Sequence, residues 1–158
     1  MTLTVESLAK IDREVAKYPV DQKQSAVMSA LRIAQQEKGW LASETIQFVA
    51  DYLGMPRIAA YEVATFYNMY NTQQRGKHKL VICTNLPCRV TWQQDVGEYL
   101  KKKLEINYGE TTEDGKFTLI EGECMGACGD APVLIRNNKQ MLCAMSNDKI
   151  DKLIEDLK

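Results

Sequence analysis

The chain has 158 residues, of which 45% are hydrophobic, and this suffices to bury a core in one ordinary domain or two small ones. Such a composition excludes intrinsic disorder. The 20 Lys and Arg residues are balanced by 21 Asp and Glu residues, so nucleic acid is not an expected partner. Because no apolar run reaches the roughly 20 residues of a membrane span and the amino terminus is amphipathic and charged, we expect a soluble, intracellular protein without direct membrane insertion.

Apolar residues recur with helical spacing in four segments of residues 1–75. Asp21 and Gln24 resemble a capping box at the start of the second segment, and Ser43 is the expected cap of the third. We therefore predict a helical domain over residues 1–75. Its expected helices are 5–15, stopped by Pro19; about 22–38, stopped by Gly39; 43–53, stopped by Gly54; and a fourth that follows Pro56.

The fourth predicted helix carries large apolar side chains around much of its circumference. Such a helix is either buried on several sides or presents one side to a partner chain, and burial in the core is the preferred interpretation. The residues concerned are Ile58, Tyr61, Val63, Phe66, Tyr67 and Tyr70.

The hydrophobic period changes after Gly76, where residues 79–83 form a short apolar run with strand character. We place a domain boundary here and predict a second domain over residues 76–158. A β-α-β-β-β order followed by a final helix makes this domain α/β and the whole chain α+β. The elements expected after the first strand are a helix at about 91–104, strands at 116–120, 132–135 and 140–143, the last two joined by a turn at Asn137-Asn138, and a helix at 147–157.

All five cysteines lie in the second half of the chain. An odd number in a chain of this size argues against a disulfide framework and favours metal or redox chemistry. His78 is the only histidine and is expected at a solvated strand edge, which argues against a Cys-His nucleophile. The cysteines are Cys83, Cys88, Cys124, Cys128 and Cys143.

Four of these cysteines form two close pairs, each at the end of a predicted strand. Cys83 and Cys88 are separated by four residues, and Cys124 and Cys128 by three. The four thiolates could therefore converge, and one iron per pair would give a [2Fe-2S] cluster. Cys143 lies in an apolar strand and is interpreted as a buried structural residue.

The loops that carry the pairs have residues suited to such a cluster. Pro87 disfavours helical backbone at Leu86, so the segment between Cys83 and Cys88 is expected to be a loop. Gly126 and Gly129 are expected to allow close backbone approach and positive φ angles, so that backbone N–H groups point at the inorganic sulfide of the cluster.

Other cysteine chemistries fit the spacing less well. Structural zinc sites and thioredoxin-type dithiols typically use Cys-x-x-Cys, which neither pair has. Plant-type ferredoxins have a third cysteine two residues after the second, which is absent here. A zinc-bound interaction module remains the non-redox alternative.

Three segments are similar to the thioredoxin-like [2Fe-2S] subunits of NADH dehydrogenase, and the likeness around them spans nearly the whole chain. They are Tyr61-Glu-Val-Ala-Thr-Phe-Tyr67, Val81-Ile-Cys83-Thr-Asn-Leu-Pro-Cys88, and the run from Asp114-x-x-Phe117-Thr118 through Cys124-Met-Gly-Ala-Cys128 to Ala131-Pro132.

This resemblance implies a small hydrophilic subunit, called NuoE in bacteria, of NADH:quinone oxidoreductase (respiratory complex I). It implies a thioredoxin-like domain after the four-helix segment and one [2Fe-2S] cluster on Cys83, Cys88, Cys124 and Cys128. It further implies docking onto a NuoF-like flavin subunit that binds FMN and NADH, and a cytoplasmic location peripheral to the inner membrane. The chain itself has no glycine-rich phosphate loop, so it holds no complete active site.

Closely related alternatives share these motifs. The diaphorase subunits of NAD-linked hydrogenases and formate dehydrogenases are not distinguished by the residues above. A free ferredoxin would need residues 80–158 but not the preceding helices, so the helical half favours a docked subunit.

Overall fold

A computed structural model describes residues 2–90 and 95–157. The chain forms two compact units, Met1–Gln74 and Arg75–Lys158. The first contains helices and the second a four-stranded sheet with helices, so the protein is α+β. None of the helices in the described residues combines the length and apolarity needed to cross a membrane.

The first unit packs its helices around one apolar core. Gly39 follows the second α-helix and Gly54 the third, with φ angles of 83° and 69°, as expected for glycines that stop helices. Tyr70 lies beyond the last helix, and its buried hydroxyl donates a 2.8 Å hydrogen bond to the carbonyl of Met28. The helices are α1 (Val5–Val15), α2 (Val27–Lys38), α3 (Ser43–Leu53) and α4 (Arg57–Phe66).

The start of the second helix differs from the prediction. Residues Val20–Ala26 form a 3-10 helix with Pro19 at its N-cap, so Asp21 lies inside this helix instead of capping an α-helix. Gln22 has non-helical angles (φ −116°, ψ 30°), and the α-helix begins only at Val27. The capping-box interpretation is therefore wrong. Ser43 is likewise the first residue of α3 and accepts a hydrogen bond from Arg57, while Ala42 is the N-cap.

α4 is shorter than predicted and mostly exposed. It ends at Phe66 and buries only small residues, Ala60 and Ala64, on the face that contacts the core. Ile58 is 63% exposed and Phe66 is 81% exposed. The interpretation of this helix as buried on several sides is therefore wrong, and its large side chains form an exposed apolar surface.

The second unit contains a sheet of four strands, β1 (His78–Cys83), β2 (Phe117–Gly122), β3 (Leu134–Arg136) and β4 (Gln140–Leu142). The succession of strands predicted along the chain is confirmed. Across the sheet their order is β2-β1-β3-β4. β1 and β2 are parallel, whereas β1–β3 and β3–β4 are antiparallel.

The connections of the sheet follow from local sequence. Asn137 and Asn138 have φ angles of 52° and 55°, which confirms the hairpin turn between β3 and β4. Three further helices are α5 (Leu86–Val90), α6 (Val96–Leu104) and α7 (Asn147–Asp156). The predicted start of a helix at Thr91 lies outside the described residues.

One face of the sheet packs against α6 and α7. Leu80 and Ile82 alternate along β1 and are fully buried on this face. This packing fixes the register of β1 against β2, which aligns Cys83 with Gly122. Other members of the same core are Leu100, Leu119, Leu134, Ile150 and Ile154.

Candidate metal centre

The two cysteine pairs lie at the carboxyl ends of the parallel strands β1 and β2. Cys83 is the last residue of β1, and Cys88 lies in α5 immediately after it. Cys124 follows the end of β2 by two residues, and Cys128 begins a short 3-10 helix. Because parallel strands end at the same edge of a sheet, the fold brings both ligand-bearing segments to that edge.

The first pair is buried in an apolar environment. Cys83 and Cys88 are 0% and 1% exposed, and both pack against Val133. The backbone N–H of Cys83 donates a 3.0 Å hydrogen bond to the carbonyl of Val133. These contacts hold the first pair as part of a packed core.

The segment between Cys83 and Cys88 is not the loop that was predicted. α5 begins at Leu86, and Pro87 occupies its first turn, where a missing N–H and a fixed φ angle are tolerated. The proline therefore starts a helical turn that carries Cys88 inward.

The second pair is open to solvent. Cys124 is exposed and Cys128 is half-buried, with their Sγ atoms 3.6 Å apart. Gly126 has a φ angle of 74°, and its N–H points to Cys124 Sγ at 3.4 Å. The positive φ angle predicted for Gly126 is confirmed, and the observed acceptor of its N–H is a cysteine sulfur. Gly129 has no positive φ angle, so the prediction of one there is wrong. Contact of these N–H groups with inorganic sulfide stays a prediction.

The pKa shifts show that the two pairs influence each other. Burial, followed by the hydrogen bond with Cys83, raises the pKa of the Cys88 thiol to about 11. The hydrogen bond with Cys124, followed by burial, raises the pKa of Cys128, and the charge of Cys83 adds to this effect. Crowded thiols thus resist ionisation, whereas a bound metal ion would deprotonate them.

Gly122 is a functional residue that the sequence reasoning missed. A Cβ atom at this position would lie 2.7 Å from both Val81 Cγ1 and Met125 Cε. Glycine therefore leaves room for the side chains of Val81 and Met125 at the end of β2. A glycine two residues before a candidate ligand was the available signal.

Cys143 directly follows β4 and is half-buried. It packs against the apolar cluster of Cys83, Cys88 and Val133. The interpretation of Cys143 as a buried residue within a strand is therefore wrong, and it is instead a partly buried neighbour of the first pair. His78 lies at the opposite end of β1 from Cys83, so the chain's only imidazole is away from this edge.

The donor set fits a two-iron cluster. All five cysteines lie in the described part of the chain and are thiols, not disulfides. Within residues 2–90 and 95–157, no three or more His, Cys, Asp or Glu side chains lie close enough together to hold a single metal ion. A [2Fe-2S] cluster with four cysteine ligands takes two thiolates per iron, which matches an arrangement in pairs.

The family model of the thioredoxin-like [2Fe-2S] ferredoxins matches residues 11–158. The chain belongs to this family. The resemblance seen in the sequence and the thioredoxin-like fold of the second unit are thereby confirmed. The assignment of Cys83, Cys88, Cys124 and Cys128 as ligands stays a prediction.

Relatives within and near this family are similar over most of the chain. The E subunit of NADH-quinone oxidoreductase from Rickettsia conorii is 41% identical, over 99% of this chain and 93% of that protein. Its counterpart from Rickettsia felis is 43% identical, over 90% and 85%. The mitochondrial NADH dehydrogenase [ubiquinone] flavoprotein 2 of Dictyostelium discoideum is 40% identical, over 85% of this chain and 55% of its own length.

A solved structure shares the fold. An NAD+-reducing [NiFe]-hydrogenase in the H2-reduced state matches 80% of this chain and 22% of its own chain, with a TM-score of 0.69. Sequence identity is 18%, so this similarity concerns the fold alone.

Proposed function

We propose that this chain is an electron-transfer subunit of an NADH:quinone oxidoreductase and binds one [2Fe-2S] cluster. The proposal is carried by the two thiol pairs at the shared carboxyl edge of β1 and β2. In the second pair, the Sγ atoms of Cys124 and Cys128 are 3.6 Å apart. The extended similarity to the E subunits of two NADH-quinone oxidoreductases supports this choice of complex.

Cys83 and Cys88 are the proposed ligands of one iron, and Cys124 and Cys128 of the other. When bound, the cluster supplies reversible one-electron storage. Val133 excludes water from the first pair, since all three residues are buried. The Gly126 N–H stabilises negative charge on Cys124 Sγ.

FMN and NADH are bound by a partner, a NuoF-like flavin subunit, in this proposal. The chain's sequence contains no phosphate-binding glycine loop, so a second subunit has to supply the nucleotide site. Residues 1–75 are the proposed docking domain and residues 76–158 the cluster domain. The exposed apolar side chains of α4 and its end are suited to docking: Ile58, Tyr61, Phe66 and Tyr67.

Association with this partner would place the subunit on the cytoplasmic side, peripheral to the inner membrane through the complex. The active site for NADH oxidation would then belong to the assembly and not to this chain alone.

Absorption and metal analysis of the purified chain test the cluster. A brown protein that bleaches with dithionite and contains two iron and two sulfide per chain supports the proposal. A colourless protein that contains zinc would show the zinc-bound interaction module instead.

A second candidate is the equivalent diaphorase subunit of an NAD-linked hydrogenase or formate dehydrogenase. The shared fold with the NAD+-reducing hydrogenase favours it. Affinity purification of the tagged chain from its own cells separates the two, because the co-purifying subunits include either quinone-reducing complex components or a hydrogenase or formate dehydrogenase subunit.

A further inference from the structure

Side-chain hydrogen bonds join the two cysteine-bearing segments outside the cysteines themselves. Thr84 Oγ1 donates a 2.9 Å hydrogen bond to Glu121 Oε1. Asn85 Nδ2 lies 3.4 Å from Glu123 Oε2. Each of these bonds connects the segment after Cys83 with the segment before Cys124.

The fold places these four side chains opposite one another. β1 and β2 are in register up to Cys83 and Gly122, so Thr84 continues past one strand while Glu121 and Glu123 flank the end of the other. The backbone N–H of Thr84 donates a 2.9 Å bond to the carbonyl of Gly122, which extends the ladder by one step. The side-chain bonds then extend the connection toward Cys124.

The second cysteine pair is held less firmly by burial than the first. Cys83 and Cys88 are fixed by burial against Val133, whereas Cys124 is exposed and lies beyond the end of β2. Met125 and Ala127 pack against the apolar cluster of the first pair, but Cys124 itself lies outside that cluster. Hydrogen bonds to the residues before Cys124 are the polar contacts that add to this packing.

We infer that Thr84, Asn85, Glu121 and Glu123 form a loop bridge that positions the second cysteine pair relative to the first. These are positioning residues, since they act through the cysteines and not as ligands. The inference rests on the proposed function, because it assigns the bridge the task of keeping the four thiols at the spacing that the cluster requires.

The first measurement is the rate at which the holoprotein loses its cluster to an excess iron chelator, followed by absorption. Thr84→Val keeps the size of the side chain but removes its donor, and we expect cluster loss about threefold to tenfold faster. Thr84→Ser keeps the hydroxyl and should restore the parent rate. Glu121→Gln keeps an acceptor oxygen and should leave the rate within twofold of the parent.

A matched control is Thr112→Val. Thr112 Oγ1 donates a 2.6 Å hydrogen bond to Asp114 Oδ1 and accepts a 3.0 Å bond from the Phe117 N–H, within one loop near the start of β2. This variant measures the effect of losing the hydrogen bonds of a partly exposed hydroxyl away from the cysteines. We expect it to leave the rate of cluster loss within twofold of the parent.

The second measurement does not depend on the cluster. Hydrogen–deuterium exchange of the metal-free full chain should be faster in residues 121–125 of Thr84→Val than in the parent or in Thr84→Ser. If the purified chain holds zinc or no metal, the proposed function fails, but the exchange measurement still decides whether the bridge orders the second segment.

Four results would each overturn the proposed role of the loop bridge. Exchange in residues 121–125 of Thr84→Val within twofold of the parent would do so, as would an unchanged rate of cluster loss. Equal effects of Thr84→Val and Thr112→Val, or a failure of Thr84→Ser to restore the parent values, would also overturn it.

Discussion

Strand β1 of the second unit and helix α4 of the first use large apolar residues in opposite ways. In β1, the large side chains of Leu80 and Ile82 are fully buried. In α4, the small residues Ala60 and Ala64 are buried, while the large side chain of Phe66 points to solvent. Apolar character therefore stabilises the fold in the sheet unit, whereas on α4 it is available to a partner.

This difference separates two kinds of substitution. Changes at the sheet edge should affect the metal centre, and changes on the exposed surface of α4 should affect assembly. Substitutions of both kinds test whether the two functions are separable.

The largest expected effect is loss of the cluster on replacing a ligand. Cys83→Ser, Cys88→Ser, Cys124→Ser and Cys128→Ser should each lower cluster content and the electron paramagnetic resonance signal of the reduced protein. The changes at 83 and 88 should be the more severe, because they also place a hydroxyl in an apolar pocket. Helical circular dichroism of the first unit should be retained.

Cys143→Ser is the matched control, since Cys143 contacts the same apolar cluster but is not a proposed ligand. Loss of the cluster in this variant would refute the assignment, and so would full cluster content in any of the other four.

The next largest effect concerns assembly. Phe66→Ser should weaken binding to the flavin subunit by at least about tenfold, as expected of an aromatic anchor at an interface centre, and leave cluster content unchanged. Calorimetry or a pull-down titration with the purified flavin subunit would measure it. Val5→Ser is the control, because Val5 is also exposed but lies on α1. Equal affinities for the parent and Phe66→Ser would refute docking through this part of α4.

A substitution in the core of the sheet unit should affect stability more than one on the exposed surface of α4. Leu119→Ala in β2 should lower the free energy of unfolding by about 2–5 kcal/mol, because Leu119 is fully buried between the sheet and its helices. Phe66→Ser should change it by no more than about 0.5 kcal/mol. Urea unfolding of both variants gives the two values. Similar losses would mean that the exposed surface of α4 contributes to folding after all.

The next prediction concerns Glu37 in the first unit and the dependence of stability on pH. Hydrogen bonds from Lys38 first, then Ser7 and Thr4, lower the pKa of Glu37 to about 2. A lowered folded-state pKa contributes stability above the ordinary value of 4.5 and loses it as the pH falls toward 2. Glu37→Gln should therefore be less stable than the parent at pH 6, and the two should converge near pH 2. Thermal unfolding followed by helical circular dichroism across this range is the measurement. A constant difference down to pH 2 would contradict it.

Predictability from the sequence also differed between the units. The apolar run of β1, the Asn137-Asn138 turn and the succession of strands along the chain are read from local patterns, and the structure confirms them. Periodicity in α4 showed that apolar residues were abundant around the helix, but periodicity cannot show which side another element covers. The sequence therefore could not decide between core and surface for this helix.

At the metal centre, cysteine spacing predicted the pairs, but not the contacts between them. The Thr84–Glu121 bond joins residues 37 positions apart and depends on the register of β1 with β2. The requirement for glycine at 122 depends on Val81 in the neighbouring strand. Such contacts arise only when tertiary packing is complete, so no local pattern reports them.

The smallest predicted effect is electrostatic tuning by the acids near β2. The sequence contains five carboxylates between residues 113 and 130, with Lys116 as the only basic residue. The oxidised cluster with four thiolates carries a formal charge of −2, so each nearby carboxylate opposes reduction. We expect a potential near or below that of NADH. The carboxylates are those of Glu113, Asp114, Glu121, Glu123 and Asp130.

The structure shows that these carboxylates are not equivalent. Glu113 and Asp114 lie in the loop bonded to Phe117, at the start of β2, whereas Glu121 and Glu123 lie at its end. The six residues of β2 extend over about 17 Å, which exceeds the Debye length of about 10 Å at 0.1 M salt. Of the acids that flank β2, only Glu121 and Glu123 should therefore influence the cluster through space.

Glu123→Gln tests this distinction, because Glu123 adjoins Cys124 and glutamine keeps an acceptor for Asn85. Removing one exposed charge should raise the reduction potential by on the order of 10–30 mV, since solvent screens most of the repulsion between this carboxylate and the cluster. Glu113→Gln should shift it by less than about 5 mV on the same grounds. Protein-film voltammetry at about 0.1 M salt measures both, and the Glu123→Gln shift should shrink in about 0.5 M salt. A downward shift, or equal shifts in the two variants, would refute the electrostatic explanation and leave the ligand assignment unaffected.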